Sequence, residues 1–289
     1  MSSRAFITGV SGLELEAAER AFIRGARPWG FILFKRNIET PEQVTALVRE
    51  LRSCTGMADA PVLIDQEGGR VQRLGPPHWP VYPPGALFGV LYDRDPALGL
   101  RAARLSSRLI AADLAELGIS VDCLPLADVP VAGADNVIGN RAYGTEPAKV
   151  ADIARAVADG LAQGGILPVL KHIPGHGRAT ADSHFRLPTV DTPASELERT
   201  DFAAFVPLAD LPMAMTAHVV FSALDPAQPA TTSATIVERV IRGRIGFQGL
   251  LMSDDVSMNA LAGTIAERTQ AIVAAGCDGQ PHGAAQHAE

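Results

Sequence analysis

Residues 165–177 read GILPVLKHIPGHG, and this stretch gives the strongest indication of the fold. The apolar run 166–170 is short enough to be a buried strand, and Lys171 and His172 follow it directly. The proline and glycines that come next favour a loop. In a barrel of parallel strands, substrates bind at the carboxyl ends of the strands. This one segment therefore predicts both a scaffold and the position of a site.

The same pattern recurs along the chain. Short apolar runs alternate with longer segments whose apolar residues repeat with a helical period. The predicted strands are residues 5–10, 30–34, 61–64, 120–124, 166–170, 213–216 and 249–252, and the predicted helices include 41–51, 97–117, 149–163 and 264–275. This alternation predicts an α/β fold, a (β/α)8 TIM-type barrel. A length of 289 residues suits one such barrel, which commonly takes about 250.

The eighth strand of the barrel is missing from this pattern. After the helical segment 264–275 a strand is due, but residues 279–289 read GQPHGAAQHAE and contain no apolar run. We therefore expect a barrel that lacks a normal eighth strand, with a catalytic domain over 1–278 and an atypical, disordered tail over 279–289. The first and seventh strands would then keep unpaired edges.

Composition excludes several classes of partner. The formal net charge is −7 and Lys and Arg do not cluster, which argues against binding nucleic acid or an anionic membrane surface. No apolar run approaches the ~20 residues of a membrane span, and the first nine residues are unlike a secretory signal. The three cysteines are scattered, which is typical of reduced thiols. We expect a cytoplasmic monomer that acts on a small molecule.

A second polar cluster, DQEGGRVQR, occupies residues 65–73 directly after a predicted strand. An acid at a strand end can accept hydrogen bonds from sugar hydroxyls, and arginines can bind a carboxylate or carbonyl through paired donors. The alternative is that Glu67 and Arg70 form a purely structural ion pair. The cluster alone does not decide between the two.

Two weaker clusters lie elsewhere. Asp254 and Asp255 follow the predicted strand 249–252, and adjacent residues on an extended chain face opposite ways. One of them is therefore expected to point into the barrel mouth and the other into structure, where Asp255 could cap the next helix. The glycine-framed segment 137–144 carries Arg141, and on its own it is typical of a surface turn.

The histidines of residues 171–184 allow two kinds of chemistry or a purely structural role. His172, His176 and His184 could bind a divalent metal. However, two histidines four apart need a helix to converge, and the proline and glycines oppose one. Acid/base catalysis fits better, because Asp182 can hold one nitrogen of His184 and leave the other free to move a proton. We therefore expect no metal ion and no organic cofactor.

Taken together, these motifs resemble the family 3 glycoside hydrolases, in their bacterial β-N-acetylhexosaminidase branch. The resemblance covers residues 30–278 and depends on the order of five motifs. They are GFILF at 30–34, the 65–73 string, NRAYG at 140–144, KHIPGHGRATADSH at 171–184 and GLLMSDDVSM at 249–258. It implies that Asp254 is the nucleophile and that His184, paired with Asp182, is the acid/base. It further implies substrate-binding roles for Asp65, Arg73, Arg141, Lys171 and His172.

The resemblance also implies an activity. It implies hydrolysis of terminal β-linked N-acetylglucosamine with retention, through a covalent intermediate on aspartate. The natural substrates would be N-acetylglucosaminyl-anhydromuramyl peptides of cell-wall recycling. Phosphate could replace water as acceptor, and the sequence leaves this open. Two other hypotheses remain: a metal-dependent barrel hydrolase, and a non-catalytic sugar-binding remnant that has lost its last strand.

Overall fold

A computed structural model describes residues 3–181 and 186–283. Eight parallel strands form one sheet, in the order β7-β6-β5-β4-β3-β2-β1-β8. They are β1 (Arg4–Thr8), β2 (Pro28–Leu33), β3 (Val62–Ile64), β4 (Val121–Asp122), β5 (Leu167–Ile173), β6 (Met213–Thr216), β7 (Leu250–Met252) and β8 (Gln280–His282). Each of the seven predicted strands overlaps an observed one, and the (β/α)8 barrel class is confirmed.

Helices follow the strands around the outside of the sheet. They are α1 (Ala17–Ala26), α2 (Pro41–Thr55), α3 (Gly85–Arg94), α4 (Pro96–Glu116), α5 (Pro147–Gln163), α6 (Ala194–Arg199) and α7 (Ile265–Ala274), with a π-helical segment at Ile236–Ile245. Local chemistry sets their ends. The Thr40 hydroxyl accepts a hydrogen bond from the Gln43 backbone at the start of α2, and Gly56 ends that helix with a φ of 70°. No helix within the described ranges is long and apolar enough to cross a membrane.

Apolar side chains fill the barrel interior, so polar groups gather only at its rim. The interior cluster contains Ile7, Ile32, Leu63, Val121, Cys123, Val169, Met213, Met215 and Met252. A larger cluster lies between the strands and the helices. Such layered filling makes the barrel a packed core rather than a pore. The residues that end the strands are therefore the ones available for chemistry.

The prediction that the segment after Asp278 supplies no strand is wrong for residues 280–282. There β8 pairs in parallel with β1, with Ile7 opposite Pro281, and the Gly9 backbone donates to the His282 carbonyl over 2.8 Å. Pro281 has no backbone N–H to donate, but its carbonyl accepts a hydrogen bond from the Val256 backbone over 3.1 Å. Residues 284–289 lie outside the described part of the chain.

The eighth strand is nevertheless short, and it is paired much more extensively on one side than on the other. On its other side β8 meets β7 only at the single bridge between Met252 and Gly279. An apolar cavity of about 150 Å³ opens beside that seam, lined by Ile7, Trp29 and Leu250 among others. The barrel therefore has eight strands but lacks a normal eighth one, as the sequence predicts.

Removing β8 should destabilise the protein markedly. A chain that ends at Asp278 loses the ladder to β1 and leaves both β1 and β7 with unpaired edges, which promotes association between molecules. We expect a lower melting temperature and an increase in light scattering on heating, relative to the full chain. An unchanged melting temperature in differential scanning calorimetry would contradict this role for β8.

Candidate active site

A buried lysine lies at the centre of the barrel mouth. Lys171, near the end of β5, has 2% of its side chain exposed, and its Nζ lies 2.9 Å from Asp65 Oδ1 and 2.6 Å from Glu67 Oε1. Asp65 directly follows β3, so the ends of β3 and β5, which flank β4 in the sheet, converge on one ammonium group. Arg73 completes the cluster, since its Nη2 donates to Asp65 Oδ2 over 2.9 Å.

Arg141 binds the other carboxylate of this cluster. Its Nε and Nη2 donate to the two oxygens of Glu67 over 2.8 and 2.7 Å, a paired geometry that also fixes the orientation of both side chains. The predicted alternative, an ion pair between Glu67 and Arg70, is wrong. Arg70 instead donates to the backbone carbonyls of residues 136–138. Glu67 thus joins Arg141 to Lys171, a link that the sequence did not reveal.

Charge pairing in this cluster outweighs burial. Burial alone would raise the pKa values of Asp65 and Glu67. However, Lys171 and Arg73 lower the pKa of Asp65 below its usual range, and Lys171 and Arg141 do the same for Glu67. Burial would likewise lower the pKa of Lys171, yet the two carboxylates raise it. The cluster therefore stays fully ionised at neutral pH and presents fixed donors and acceptors to a ligand.

His172 is held by a carboxylate that the sequence analysis missed. Its Nδ1 lies 2.7 Å from Asp128 Oδ2, and the other oxygen of Asp128 accepts from the His176 backbone over 2.7 Å. Burial would raise the pKa of Asp128, but His172 and its hydrogen bond hold that pKa at about 2. Asp128 follows the apolar residues 123–127, and an acid in that context was an available signal.

His176 should make the stability depend on pH. Burial, aided by the charge of His172, lowers the pKa of His176 to about 4 from 6.5. The unfolded chain then binds more protons between these pH values, so this contribution is complete above pH 6.5 and lost as the pH falls through 4. We expect the unfolding free energy to decrease by about 2 to 3 kcal/mol across that interval.

Urea unfolding at pH 6.5 and 4.5 would measure the dependence of the free energy on pH. His176→Asn should flatten this dependence, whereas the matched replacement of an exposed histidine, His78→Asn, should preserve it. If the unfolding free energy changed equally with pH in the two variants, the assignment to His176 would be contradicted.

The two adjacent aspartates have different surroundings. The Asp255 side chain stabilises the local structure. Its Oδ1 accepts hydrogen bonds from the Ser257 backbone and hydroxyl, each over 2.8 Å, and from the Gly283 backbone over 3.2 Å. Among the described residues, the Asp254 carboxylate accepts a hydrogen bond only from the backbone of Asp255, over 2.8 Å, and Asp254 lines the cavity. Burial would raise the pKa of Asp254, but the neighbouring His218 and His172 lower it, so Asp254 is ionised.

His218 supports the turn that carries these aspartates, and the sequence analysis missed it too. Its Nε2 lies 3.1 Å from the Asp255 carbonyl, which can only accept, so Nε2 carries the proton. Its Nδ1 lies 2.7 Å from the Thr231 hydroxyl, and burial lowers the pKa of the ring. His218 therefore fixes the backbone just after Asp254. The position two residues beyond strand β6 was the available signal.

A cavity of about 780 Å³ opens at the carboxyl ends of the strands, a size suited to a small molecule. Six of the predicted site residues share it: Asp65, Arg73, Arg141, Lys171, His172 and Asp254. Asp182 and His184 lie outside the described residues, so their predicted roles stay predictions. Within 3–181 and 186–283, no group of three or more His, Cys, Asp or Glu is placed to hold a metal ion.

Comparison with known proteins agrees with this geometry. Residues 9–280 match the family described as glycosyl hydrolase family 3 N terminal domain. The beta-hexosaminidase of Bordetella avium is 38% identical over 275 residues, which span 93% of this chain and 77% of that protein.

Solved structures give the same result. NagZ from Neisseria gonorrhoeae in complex with N-trifluoroacetyl-D-glucosamine has a TM-score of 0.91 and 32% identity, over 98% of this chain and 82% of that one. The beta-N-acetylhexosaminidase from Beutenbergia cavernae has a TM-score of 0.85 and 28% identity, over 97% and 85% of the two chains.

Proposed function

This chain belongs to glycosyl hydrolase family 3, and from that membership we propose that it releases terminal β-linked N-acetylglucosamine from its substrates, with retention at the anomeric carbon. The observation that carries the proposal is the position of Asp254. Its ionised side chain lines a cavity that Asp65, Lys171 and Arg73 also line. A nucleophile and a set of sugar-binding groups thus face the same space.

The sugar-binding part of the site supplies both donors and acceptors. Asp65 and Lys171 would bind ring hydroxyls, and Arg73, Arg141 and His172 would bind hydroxyls or the acetamido group. Their ion pairs hold them rigidly, so little side-chain freedom is lost when the sugar binds. The sugar is neutral, which matches a pocket whose inner charges are already compensated.

The proposed reaction has two displacements. In the first, an oxygen of Asp254 forms a bond to C1 while the bond from C1 to the leaving oxygen breaks and His184 gives that oxygen its proton. In the second, His184 takes a proton from water, whose oxygen attacks C1 and releases Asp254. Asp182 would orient the His184 ring and favour its protonated form. Inversion occurs twice, so the configuration is retained.

The relatives support a proposal for the natural substrate. One of them, NagZ from Neisseria gonorrhoeae, has been solved with an N-acylated glucosamine. We propose that the natural substrates are N-acetylglucosaminyl-anhydromuramyl peptides, that the enzyme acts in cytoplasmic peptidoglycan recycling as a monomer, and that it needs no cofactor.

Turnover of 4-nitrophenyl β-N-acetylglucosaminide by the purified chain is the direct test of this function. We expect hydrolysis, with release of the β-anomer first when the product is followed by nuclear magnetic resonance. The same assay with added phosphate identifies the acceptor, because a phosphorylase would form the sugar 1-phosphate. Binding of N-acetylglucosamine without any turnover would overturn the enzymatic proposal and favour a sugar-binding remnant.

The effect of replacing His184 is expected to depend on the leaving group of the substrate. His184→Ala should reduce hydrolysis of an alkyl glycoside by about 100-fold or more, because a poor leaving group needs a proton. Hydrolysis of an activated 2,4-dinitrophenyl glycoside should decrease far less. Asp182→Ala should show the same pattern in a milder form. Equal losses on both substrates in kcat/KM measurements would exclude His184 as the acid.

A further inference from the structure

Arg268 is not among the described residues that line the cavity, yet it binds the segment that follows the proposed nucleophile. It lies in the first turn of α7, and its Nη1 donates to the carbonyls of Val256 and Met258 over 2.7 and 3.2 Å. Its Nε donates to the Gly263 carbonyl over 3.1 Å. One guanidinium group therefore ties both ends of the segment 256–263 to the start of a helix.

These contacts use the geometry of arginine as well as its charge. The guanidinium is planar and carries five N–H donors in a fixed arrangement, so it can meet three carbonyls at once. A lysine ammonium is a compact group on a flexible stem and offers no such arrangement. The two side chains should therefore not be interchangeable at position 268.

The segment that Arg268 binds is part of the wall of the active site. Ser257 and Met258 line the cavity together with Asp254. The Met258 backbone donates to the Asp255 carbonyl over 3.2 Å, which closes a turn directly after Asp254. A displacement of this turn would therefore move the carboxylate that is proposed to attack C1.

Arg268 binds carbonyls that the other backbone contacts of this turn do not involve. His218 lies against the Asp255 carbonyl, and β8 accepts a hydrogen bond from the Val256 N–H. Arg268 instead binds the carbonyls of residues 256 and 258. Catalytic groups must be held within about 0.5 Å of their productive positions, so the loss of one such contact can slow turnover without unfolding the protein.

We propose that Arg268 is a positioning residue for the nucleophile, because it fixes the backbone after Asp254 and thereby the attacking carboxylate. The inference rests on the proposed function, which assigns the attack on C1 to Asp254. The sugar-binding residues Asp65 and Lys171 lie at the ends of other strands. Loss of Arg268 should therefore slow the chemical step and leave sugar binding unchanged.

Arg268→Ala tests this separation of chemistry from binding. We expect kcat on 4-nitrophenyl β-N-acetylglucosaminide to fall by about 100-fold, and the Kd of N-acetylglucosamine to change by less than about threefold. Steady-state kinetics and calorimetry measure the two quantities. Arg268→Lys, which keeps the charge, should lose nearly as much activity. Full activity in the lysine variant, or a Kd that weakens as much as kcat falls, would overturn the positioning role.

Arg242→Ala is the matched control for a general loss of stability. Arg242 also donates to backbone carbonyls, those of Phe247 and Gly249 over 3.1 and 2.8 Å, but these precede β7 and the carbonyls bound by Arg268 follow it. The two alanine variants should lower the melting temperature by similar amounts, while only Arg268→Ala lowers kcat strongly. Equal losses of kcat would show that loosening of the fold is the cause. If the parent chain does not hydrolyse the glycoside, the proposed function fails; if it does and Arg268→Ala is equally fast, only this inference fails.

Discussion

Asp254→Asn is expected to lower kcat on 4-nitrophenyl β-N-acetylglucosaminide by about 10⁴-fold or more, while the protein stays folded. The amide keeps the size of the side chain and its acceptor for the Asp255 backbone, but it cannot form the covalent bond to C1. Steady-state kinetics measures the loss. A melting temperature close to that of the parent chain shows that the loss is chemical.

Asp255→Asn is the matched control for this result. Asparagine retains an oxygen that can accept from the Ser257 backbone and hydroxyl, so the turn should hold and activity should remain measurable. A fluorinated substrate that traps the glycosyl-enzyme should label Asp254. Label on Asp255 or Asp65, or a larger loss from Asp255→Asn than from Asp254→Asn, would contradict the assignment of the nucleophile.

Lys171→Met should have the largest effect on stability of any change in the cavity. It leaves Asp65 and Glu67 buried without their shared cation, and breaking a buried ion pair on one side typically costs about 3 to 5 kcal/mol. Arg73→Met removes a cation from the same Asp65 but should cost less, because Arg73 is 27% exposed and Lys171 only 2%. Urea unfolding of both variants at pH 7 measures the difference in free energy.

The pH dependence of the stability lost in Lys171→Met shows whether charge or packing causes the loss. In the parent chain the pKa values of Asp65 and Glu67 are lowered, so their contribution is complete above the unfolded pKa values and is lost at lower pH. Without Lys171, burial should raise these pKa values above the unfolded ones, so the folded variant takes up protons as the pH falls. The stability difference between the two proteins should therefore narrow from pH 7 to pH 4.5. A constant difference would show that lost packing, not charge, is responsible.

The barrel could be predicted from sequence because its strands are short apolar runs. Seven strands were found in this way, but β5 continues to Ile173, beyond the predicted end at Leu170. The period of hydrophobicity could not show this, since Lys171 and His172 are polar and yet lie within the strand. β8 was missed for a related reason: only three residues long and centred on Pro281, it carries no apolar run, and its pairing with β1 determines its conformation.

Six of the residues that line the cavity could be predicted from sequence, but their contacts with one another could not. Residue types at strand ends pointed to Asp65, Lys171 and His172, and the family resemblance added roles for Arg73, Arg141 and Asp254. The partners of these residues depend on contacts between distant segments. Asp128 meets His172 across 44 positions, and Glu67 meets Arg141 across 74. No local pattern encodes such pairs, so the charge state of the cluster had to come from the structure.

The short strand β8 does more than close the sheet. Gly283 donates to Asp255 and Pro281 accepts from Val256, so the strand that completes the barrel also holds the turn on which Asp254 sits. Residues 280–283 are translated after Asp254. During synthesis, the turn that carries Asp254 must therefore wait for them, and a nascent chain can contain every proposed catalytic side chain and still have no assembled site.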